Sequence, residues 1–267
     1  MNFFNEQIMI ENKRIWITGA SSGIGSELAL QLADAGNTVV ISARTADKLR
    51  ALEVGAEVLS GKIIPLAYDV TEDDQTANVR EALVQSVGSL DMLIICAGTC
   101  EYVDNASLEV DMFRRVFDVN VFGAVNATAV ALPLLEAANH PAGDKPQIVV
   151  VASLSAVTGL PRAEAYGASK AAMIYLFNTL RLDLQKRIDV TVVNPGFVAT
   201  EMTKQNDFPM PFMMQPAEAA QCIIKGVAKR RLTVNFPLRL WLSLKLPSLI
   251  PTVWYRLLGP RLVRSDR

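Results

Sequence analysis

Short apolar runs rich in β-branched residues alternate with longer stretches of helical periodicity along this chain. Strands of a parallel sheet that is covered on both faces have this appearance, because they are apolar throughout rather than at every second position. The apolar runs predict strands at Arg14–Thr18, Thr38–Ala43, Ile63–Tyr68, Met92–Cys96, Gln147–Ala152, Val190–Asn194 and Leu232–Asn235. The periodic stretches predict helices at about 24–35, 45–55, 72–87, 107–137, 164–187 and 216–229.

Strands that alternate with helices pair in parallel through right-handed crossovers. The sequence therefore predicts an α/β fold, with a doubly wound, Rossmann-like parallel sheet of about seven strands and helices on both faces. No internal repeat or low-complexity linker interrupts the pattern. We expect one domain over residues 1–235, followed by a helical C-terminal tail at 236–267 that is not an independent domain.

The tail differs from the rest of the chain in composition. It holds six basic residues against one acid, Asp266, and two of the three tryptophans. Prolines at 247, 251 and 260 break it into helices too short to span a bilayer. Basic, aromatic, amphipathic segments often lie in a membrane interface. Two interpretations remain open: the tail docks on its own domain or on a second subunit, or it makes peripheral contact with a membrane.

Composition excludes several classes of function. The 267 residues carry a net charge of −1, so no general attraction to nucleic acid is expected. A single histidine and three cysteines give neither a metal site nor a histidine triad nor a disulfide framework. Residues 1–6 lack the basic start and apolar core of a signal peptide. We expect a cytoplasmic protein. If the tail binds a membrane, the protein would lie on the inner membrane surface.

A glycine-rich turn connects the first predicted strand to the first predicted helix. Glycines allow a tight turn and close approach of the backbone to a ligand, and the N–H groups at a helix N-terminus bind phosphate. This context predicts a pyrophosphate site in the run Thr18–Gly25, formed by Gly19, Ser21, Ser22, Gly23, Ile24 and Gly25.

Tyr166 and Lys170 lie one turn apart on a predicted helix, and Ser153 lies thirteen residues before Tyr166. Residues four apart share a helix face, so the ammonium can lie near the phenol. A nearby cation lowers the pKa of a tyrosine. We therefore expect Lys170 to lower the pKa of Tyr166, which could then exchange a proton with a substrate oxygen near neutral pH.

Other unusual residues follow the predicted strands. The carboxyl ends of parallel strands share one edge of the sheet, where ligands bind. After strands three to six come Asp69-Val70, Ala97-Gly98, Ser153 and Pro195-Gly196. The end of strand two carries no acid to bind a ribose 2′-hydroxyl, but it carries Arg44, with Lys48 close by. Arg44 is placed to bind a 2′-phosphate, which predicts NADP(H) rather than NAD(H).

Together these motifs resemble the short-chain dehydrogenase/reductase family over about residues 10–235. The resemblance implies a catalytic tetrad of Asn120, Ser153, Tyr166 and Lys170. It implies that Asp69 binds the adenine amino group, with Val70 alongside. It also implies that the nicotinamide is contacted by Pro195, Gly196, Val198 and Thr200.

The resemblance implies interconversion of a carbonyl and an alcohol by hydride transfer. Tyr166 would give the proton and Ser153 would hold the substrate oxygen. Lys170 would bind the nicotinamide ribose, and Asn120 would anchor a water for proton refill. The chain departs from the family at Cys96, where Asn-Ala-Gly is usual after the fourth strand. We expect weaker bracing of the neighbouring backbone there.

The segment Thr200–Pro216 lies where family members carry a mobile substrate loop. Its four methionines and two phenylalanines predict an apolar lid and a lipophilic ketone or aldehyde as substrate, unless they only pack on the core. The resemblance also implies a homodimer, because family members commonly pair helices 107–137 and 164–187 across a two-fold axis. These helices carry small and apolar residues on more than the side that faces the sheet, including Ala124, Ala127, Ala131, Leu176, Phe177 and Leu180. The alternative functions are a catalytically silent nucleotide-binding scaffold and a membrane-surface protein that acts through its tail.

Overall fold

The computed structural model describes residues 10–104, 107–138, 140 and 144–263. Residues 1–6, where we expect no signal peptide, lie outside the described residues. Asp266, the tail's single acid, also lies outside them. Seven parallel strands form one sheet in the order β3-β2-β1-β4-β5-β6-β7. The strands are β1 (Arg14–Thr18), β2 (Thr38–Ala43), β3 (Lys62–Ala67), β4 (Met92–Ile95), β5 (Gln147–Val151), β6 (Asp189–Pro195) and β7 (Thr233–Phe236).

Helices cover both faces of the sheet, as the continuous apolar strands predict. In β1, Ile15 and Ile17 face one layer and Trp16 faces the other, and all three are fully buried. The first layer holds α1 (Gly23–Asp34), α2 (Ala46–Gly55) and α8 (Pro216–Ala228). The second layer holds α3 (Thr76–Val87), α5 (Gly123–Glu136) and α6 (Glu164–Leu184). The doubly wound architecture predicted from the sequence is therefore confirmed.

The strand order reverses at β1, which pairs with β2 on one side and with β4 on the other. Connections from the two halves of the sheet leave in opposite directions at this point, so a crevice opens beyond the carboxyl ends of β1 and β4. The glycine turn and the Ala97-Gly98 segment both begin there.

The predicted helix at 107–137 is interrupted. The structure has α4 (Val110–Phe117), a π-helical turn (Asp118–Phe122) and then α5. By length and composition the whole run Val110–Glu136 could cross a membrane, but half of its most apolar part is buried in the fold. It connects the neighbouring strands β4 and β5, so it is a core crossover helix.

The tail docks on its own domain. It contains α9 (Leu238–Ser248), α10 (Pro251–Val253) and two short helical turns up to Leu262, while Phe236 belongs to β7. Its side chains Leu240, Leu244 and Trp254 pack into a buried cluster with Leu154. The Trp254 indole also donates a hydrogen bond of 2.9 Å to the Gly159 carbonyl.

The residues on which the dimer prediction rested lie in the core. Ala124, Ala127, Ala131 and Phe177 are at most 1% exposed, and Leu176 and Leu180 pack against the same cluster. Most of their surface is therefore covered by the fold. The exposed large apolar side chains on the two predicted helices are different ones, namely Leu108, Val110, Phe122, Val125, Tyr175 and Leu182.

Candidate active site

A cleft of about 710 Å³ opens at the carboxyl edge of the sheet. It is lined by every residue that the sequence assigned to the cofactor and by Ser153. These are Gly19, Ser21, Ser22, Gly23, Ile24, Gly25, Arg44, Asp69, Val70, Ala97, Gly98, Ser153, Tyr166, Lys170, Pro195, Gly196, Val198 and Thr200. Asn120 lies behind the cleft wall, against Gly98.

The glycine turn has the shape of a phosphate cradle. Gly19 has a φ of 70°, and a Cβ there would lie 2.5 Å from the Cα of Ala97. A Cβ on Gly25 would lie 2.4 Å from the Gly19 carbonyl oxygen. Ser22, the N-cap of α1, makes no side-chain hydrogen bond to the first turn of the helix. The N–H groups of that turn therefore remain available to a pyrophosphate, so the residues present fit a dinucleotide.

Ser153 is fixed by the turn that follows β5. Its hydroxyl accepts a hydrogen bond of 3.1 Å from the Ser155 N–H and caps the short helix Leu154–Ala156. Burial raises the pKa of the Tyr166 phenol, and the neighbouring Ser153 hydroxyl opposes this increase. The two hydroxyls are thus within reach of one substrate oxygen.

The expectation that Lys170 lowers the pKa of Tyr166 is wrong for the protein alone. The pKa of the phenol is raised, mainly because burial removes water from around the hydroxyl, and further by Cys100. The Lys170 ammonium lies 5.8 Å from the centre of the tyrosine ring and does not offset this loss of water. Tyr166 therefore keeps its proton at neutral pH.

Lys170 is buried without a carboxylate partner among the described residues. Only 4% of it is exposed, and its ammonium donates a 3.0 Å hydrogen bond to the Val151 carbonyl. Burial lowers its pKa to about 8, against the opposing influence of Cys96 and Cys100. A buried cation with donors to spare is suited to binding hydroxyl groups that enter the cleft.

Asn120 lies in the π-helical turn and is fully buried. Its Oδ1 accepts from the Thr99 N–H at 2.8 Å, and its Nδ2 donates to the Thr99 carbonyl at 3.0 Å. Nδ2 also donates to the Ser169 hydroxyl at 2.9 Å, and that hydroxyl donates to the Tyr166 carbonyl. One amide thus ties the backbone after β4 to the first turns of α6, which carries the tyrosine.

The backbone at Cys96 is held by Thr18. The Cys96 N–H donates to the Thr18 carbonyl at 3.1 Å, and the Ala97 N–H to the Thr18 hydroxyl at 3.4 Å. Burial raises the pKa of the Cys96 thiol to about 12, so it remains a neutral residue packed on the core. The strand end is braced by Thr18 and Asn120 rather than by a side chain at 96.

Two charged residues of the cleft differ in how they are held. Near the end of β2, Arg44 is exposed and makes no hydrogen bond or ion pair with any residue that the structure describes. The carboxylate of Asp69 is held by the Thr71 N–H at 3.0 Å and the Thr71 hydroxyl at 2.8 Å. The predicted lid begins with α7 (Glu201–Lys204), and Met202 and Thr203 of this helix also line the cleft.

The lid's apolar residues divide into two groups. Met214 pairs with Val198 in an isolated bridge and packs against the core, which supports the packing interpretation for this residue. Met202, Phe212 and Met213 are each at least 40% exposed, so packing does not account for them.

Sequence reasoning missed a cluster that ties the lid to the cleft. Arg162 pairs with Asp104 at 2.6 Å and with Asp207 of the lid at 2.7 Å. Its guanidinium also lies 5.6 Å from the centre of the Tyr102 ring, which packs edge-on against Phe208. These residues come from three loops without periodicity, so the sequence carries no sign that they meet.

No group of three or more metal-ligating side chains occurs among the residues that the structure describes.

Comparison with known proteins agrees with this geometry. A family model described as short chain dehydrogenase matches residues 13–209. The chain is 34% identical over 236 residues to an uncharacterized oxidoreductase of Myxococcus xanthus, covering 88% of this chain and 91% of the relative. It is 29% identical over 248 residues to an 11-beta-hydroxysteroid dehydrogenase of Pinus massoniana, covering 86% and 68% of the two chains.

The fold also matches a solved structure. This is a 7α-hydroxysteroid dehydrogenase complexed with NADH and 7-oxo glycochenodeoxycholic acid, with a TM-score of 0.76 and 23% identity. The match covers 88% of this chain and 96% of the other. At this identity the comparison establishes the shared architecture.

Proposed function

The chain belongs to the short-chain dehydrogenase/reductase family, and from that premise we propose that it is an NADP(H)-dependent reductase of lipophilic ketones or aldehydes. The family consists of oxidoreductases that act on CH–OH groups with NAD(P)(H). The observation that carries the proposal is the meeting of Ser153, Tyr166 and Lys170 in the cleft that begins at the glycine cradle.

The residues of the chain divide the work of reduction. A bound dinucleotide would supply the hydride. Ser153 positions the carbonyl oxygen by a hydrogen bond, and Tyr166 donates its proton to that oxygen as charge develops on it. Tyr166 is protonated at neutral pH in the protein alone, as a proton donor must be. Lys170 holds ribose hydroxyls, and Asn120 fixes the helix that carries the tyrosine.

The preference for NADP(H) rests on Arg44. Its guanidinium lines the cleft without a partner among the described residues, and Lys48 lines the same cleft. A 2′-phosphate would give this guanidinium the partner that it lacks. No acidic side chain stands at the end of β2 to bind the 2′-hydroxyl of NAD.

The preference for a lipophilic substrate rests on the lid. Met202 lines the cleft and is 40% exposed, and Phe212 and Met213 are exposed close to it in the chain. Flexible thioethers adapt to varied apolar shapes. The relative from Pinus massoniana and the matched solved structure are both named for hydroxysteroids, which are lipophilic alcohols.

Methyl ketones of graded length test this proposal. With NADPH, kcat/KM for 2-octanone is expected to exceed that for 2-butanone by about tenfold or more, because each buried methylene contributes roughly 0.8 kcal/mol. Met202→Ser should reduce this ratio. Val58→Ser, a matched change at an exposed apolar residue outside the cleft, should leave the ratio unchanged. A preference for 2-butanone would refute the lipophilic assignment.

We further propose a cytoplasmic homodimer. Three free cysteines fit a reducing compartment. The exposed Phe122, Val125, Tyr175 and Leu182 offer an apolar surface for a second copy.

A further inference from the structure

The tail carries a second apolar stripe, opposite the one that docks on the domain. In α9 the buried residues are Leu240 and Leu244. Helix geometry places Leu242 about 200° away from Leu240, on the opposite side. An exposed stripe follows that side, with fractional exposures of 60%, 38%, 59% and 65% at Leu238, Leu242, Leu246 and Leu249.

The apolar surface continues beyond α9. Ile250, Leu257, Leu262 and Val263 are each more than half exposed, and so is Tyr255. The tail is thus held to the domain by one face while the other presents a run of large aliphatic side chains to solvent. Contiguous exposed apolar surface of this kind marks an interaction site rather than a chance arrangement.

Basic residues border the exposed stripe. Arg239 and Lys245 lie about 60° to either side of Leu242 around α9, and Arg256 and Arg261 follow in the later turns. All four are exposed, and none of their side chains makes a hydrogen bond or ion pair with a described residue. Residues 236–263 contain no acidic side chain.

We propose that this outer face of the tail, residues 238–263, binds the surface of an anionic phospholipid bilayer, with α9 lying along the interface. Leucines enter the boundary between headgroups and acyl chains, while the flanking cations meet lipid phosphates. The proposal does not depend on the reaction assigned to the cleft.

The charge pattern favours a bilayer over a second copy of the chain. A two-fold contact through this face would bring four unpaired cations of one copy against the same four of the other. Such a contact buries like charges, and residues 236–263 contain no acid to neutralise them. An anionic lipid surface supplies the missing counter-charge and covers the leucines at the same time.

The face of the tail that docks on the domain connects the proposed membrane face to the cleft. Leu240 packs on Gly196, where a Cβ would come within 2.6 Å of it, and Gly196 lines the cleft. Phe197 packs both in the tail cluster and against Phe208 of the lid. The docked face of the tail is therefore connected to the lid through Phe197.

Co-sedimentation of the full chain with vesicles tests the proposal. The protein is expected to pellet with phosphatidylcholine vesicles that contain 30% phosphatidylglycerol, and more weakly with pure phosphatidylcholine. The double variant Leu246→Glu/Leu249→Glu should bind the anionic vesicles about tenfold more weakly or worse, because it places charge in the stripe. Its control is Val54→Glu/Val58→Glu, which adds the same charge at exposed apolar positions of the main domain.

A second pair of variants tests the cations without touching the leucines. Arg239→Gln/Lys245→Gln should weaken binding to anionic vesicles about tenfold and reduce its salt dependence. Arg50→Gln/Lys229→Gln removes the same charge from the main domain and should bind as the wild type does. Wild-type protein that stays in the supernatant would overturn the proposal. So would tail variants that bind normally, or a tail variant that only changes the oligomeric state.

Discussion

Replacing Tyr166 by Phe is expected to lower kcat/KM for ketone reduction by about 10²- to 10⁴-fold, the usual contribution of a positioned general acid. The substitution removes one oxygen and keeps the ring, so the packing over Lys170 at 5.8 Å is retained. Stopped-flow or steady-state oxidation of NADPH measures the effect. The affinity for NADPH should change little, because the substitution removes only the hydroxyl and keeps the ring that lines the cleft.

Tyr175→Phe is the matched control for this experiment. Tyr175 lies on the same helix, α6, but 77% of it is exposed and it faces away from the cleft. It should retain wild-type rates. If the Tyr166 variant kept more than a tenth of wild-type activity, Tyr166 would not be the proton donor and the assignment of the site would fail.

Replacing Arg44 by Ala is expected to weaken NADPH binding by about 10- to 100-fold, the range for a lost charge-assisted contact. NADH binding should change by less than about threefold, because NADH has no 2′-phosphate for the guanidinium to hold. Titration of the protein's fluorescence with each dinucleotide gives both dissociation constants. The ratio of the two affinities reports the 2′-phosphate contact independently of catalysis.

Arg50→Ala is the control for Arg44. Arg50 is an exposed arginine on the neighbouring helix α2 and does not line the cleft. It should leave the ratio of the two affinities unchanged. Equal loss of NADPH and NADH binding in Arg44→Ala would show that the arginine only shapes the loop, and the proposed preference for NADP(H) would be withdrawn.

The sequence predicts the sheet well because the strands are buried on both faces. Each of the seven strands begins and ends within one residue of its predicted bounds. The bounds are predictable because each apolar run must stop where the helix layers stop. The helix at 107–137 is predicted less well. Its π-helical turn at Asp118–Phe122 depends on tertiary hydrogen bonds of Asn120 to Thr99 and Ser169, which no periodicity encodes.

The sequence predicts which residues form the site, but it does not predict the pKa of Tyr166. Spacing alone places Lys170 near Tyr166, and the structure brings them together. Spacing does not reveal how little water reaches the phenol, and this loss of water raises its pKa. Contacts between loops are likewise invisible in the sequence, as the pairing of Arg162 with Asp104 and Asp207 shows.

The most direct test of the central claim is the transfer of deuterium. The protein is incubated with 2-octanone and NADPH that carries deuterium at both positions of nicotinamide C4, and the 2-octanol is analysed by mass spectrometry. One deuterium on the carbinol carbon, formed by the wild type and lost with Tyr166→Phe, is the result that we predict. Absence of labelled alcohol across the ketone series would contradict the account.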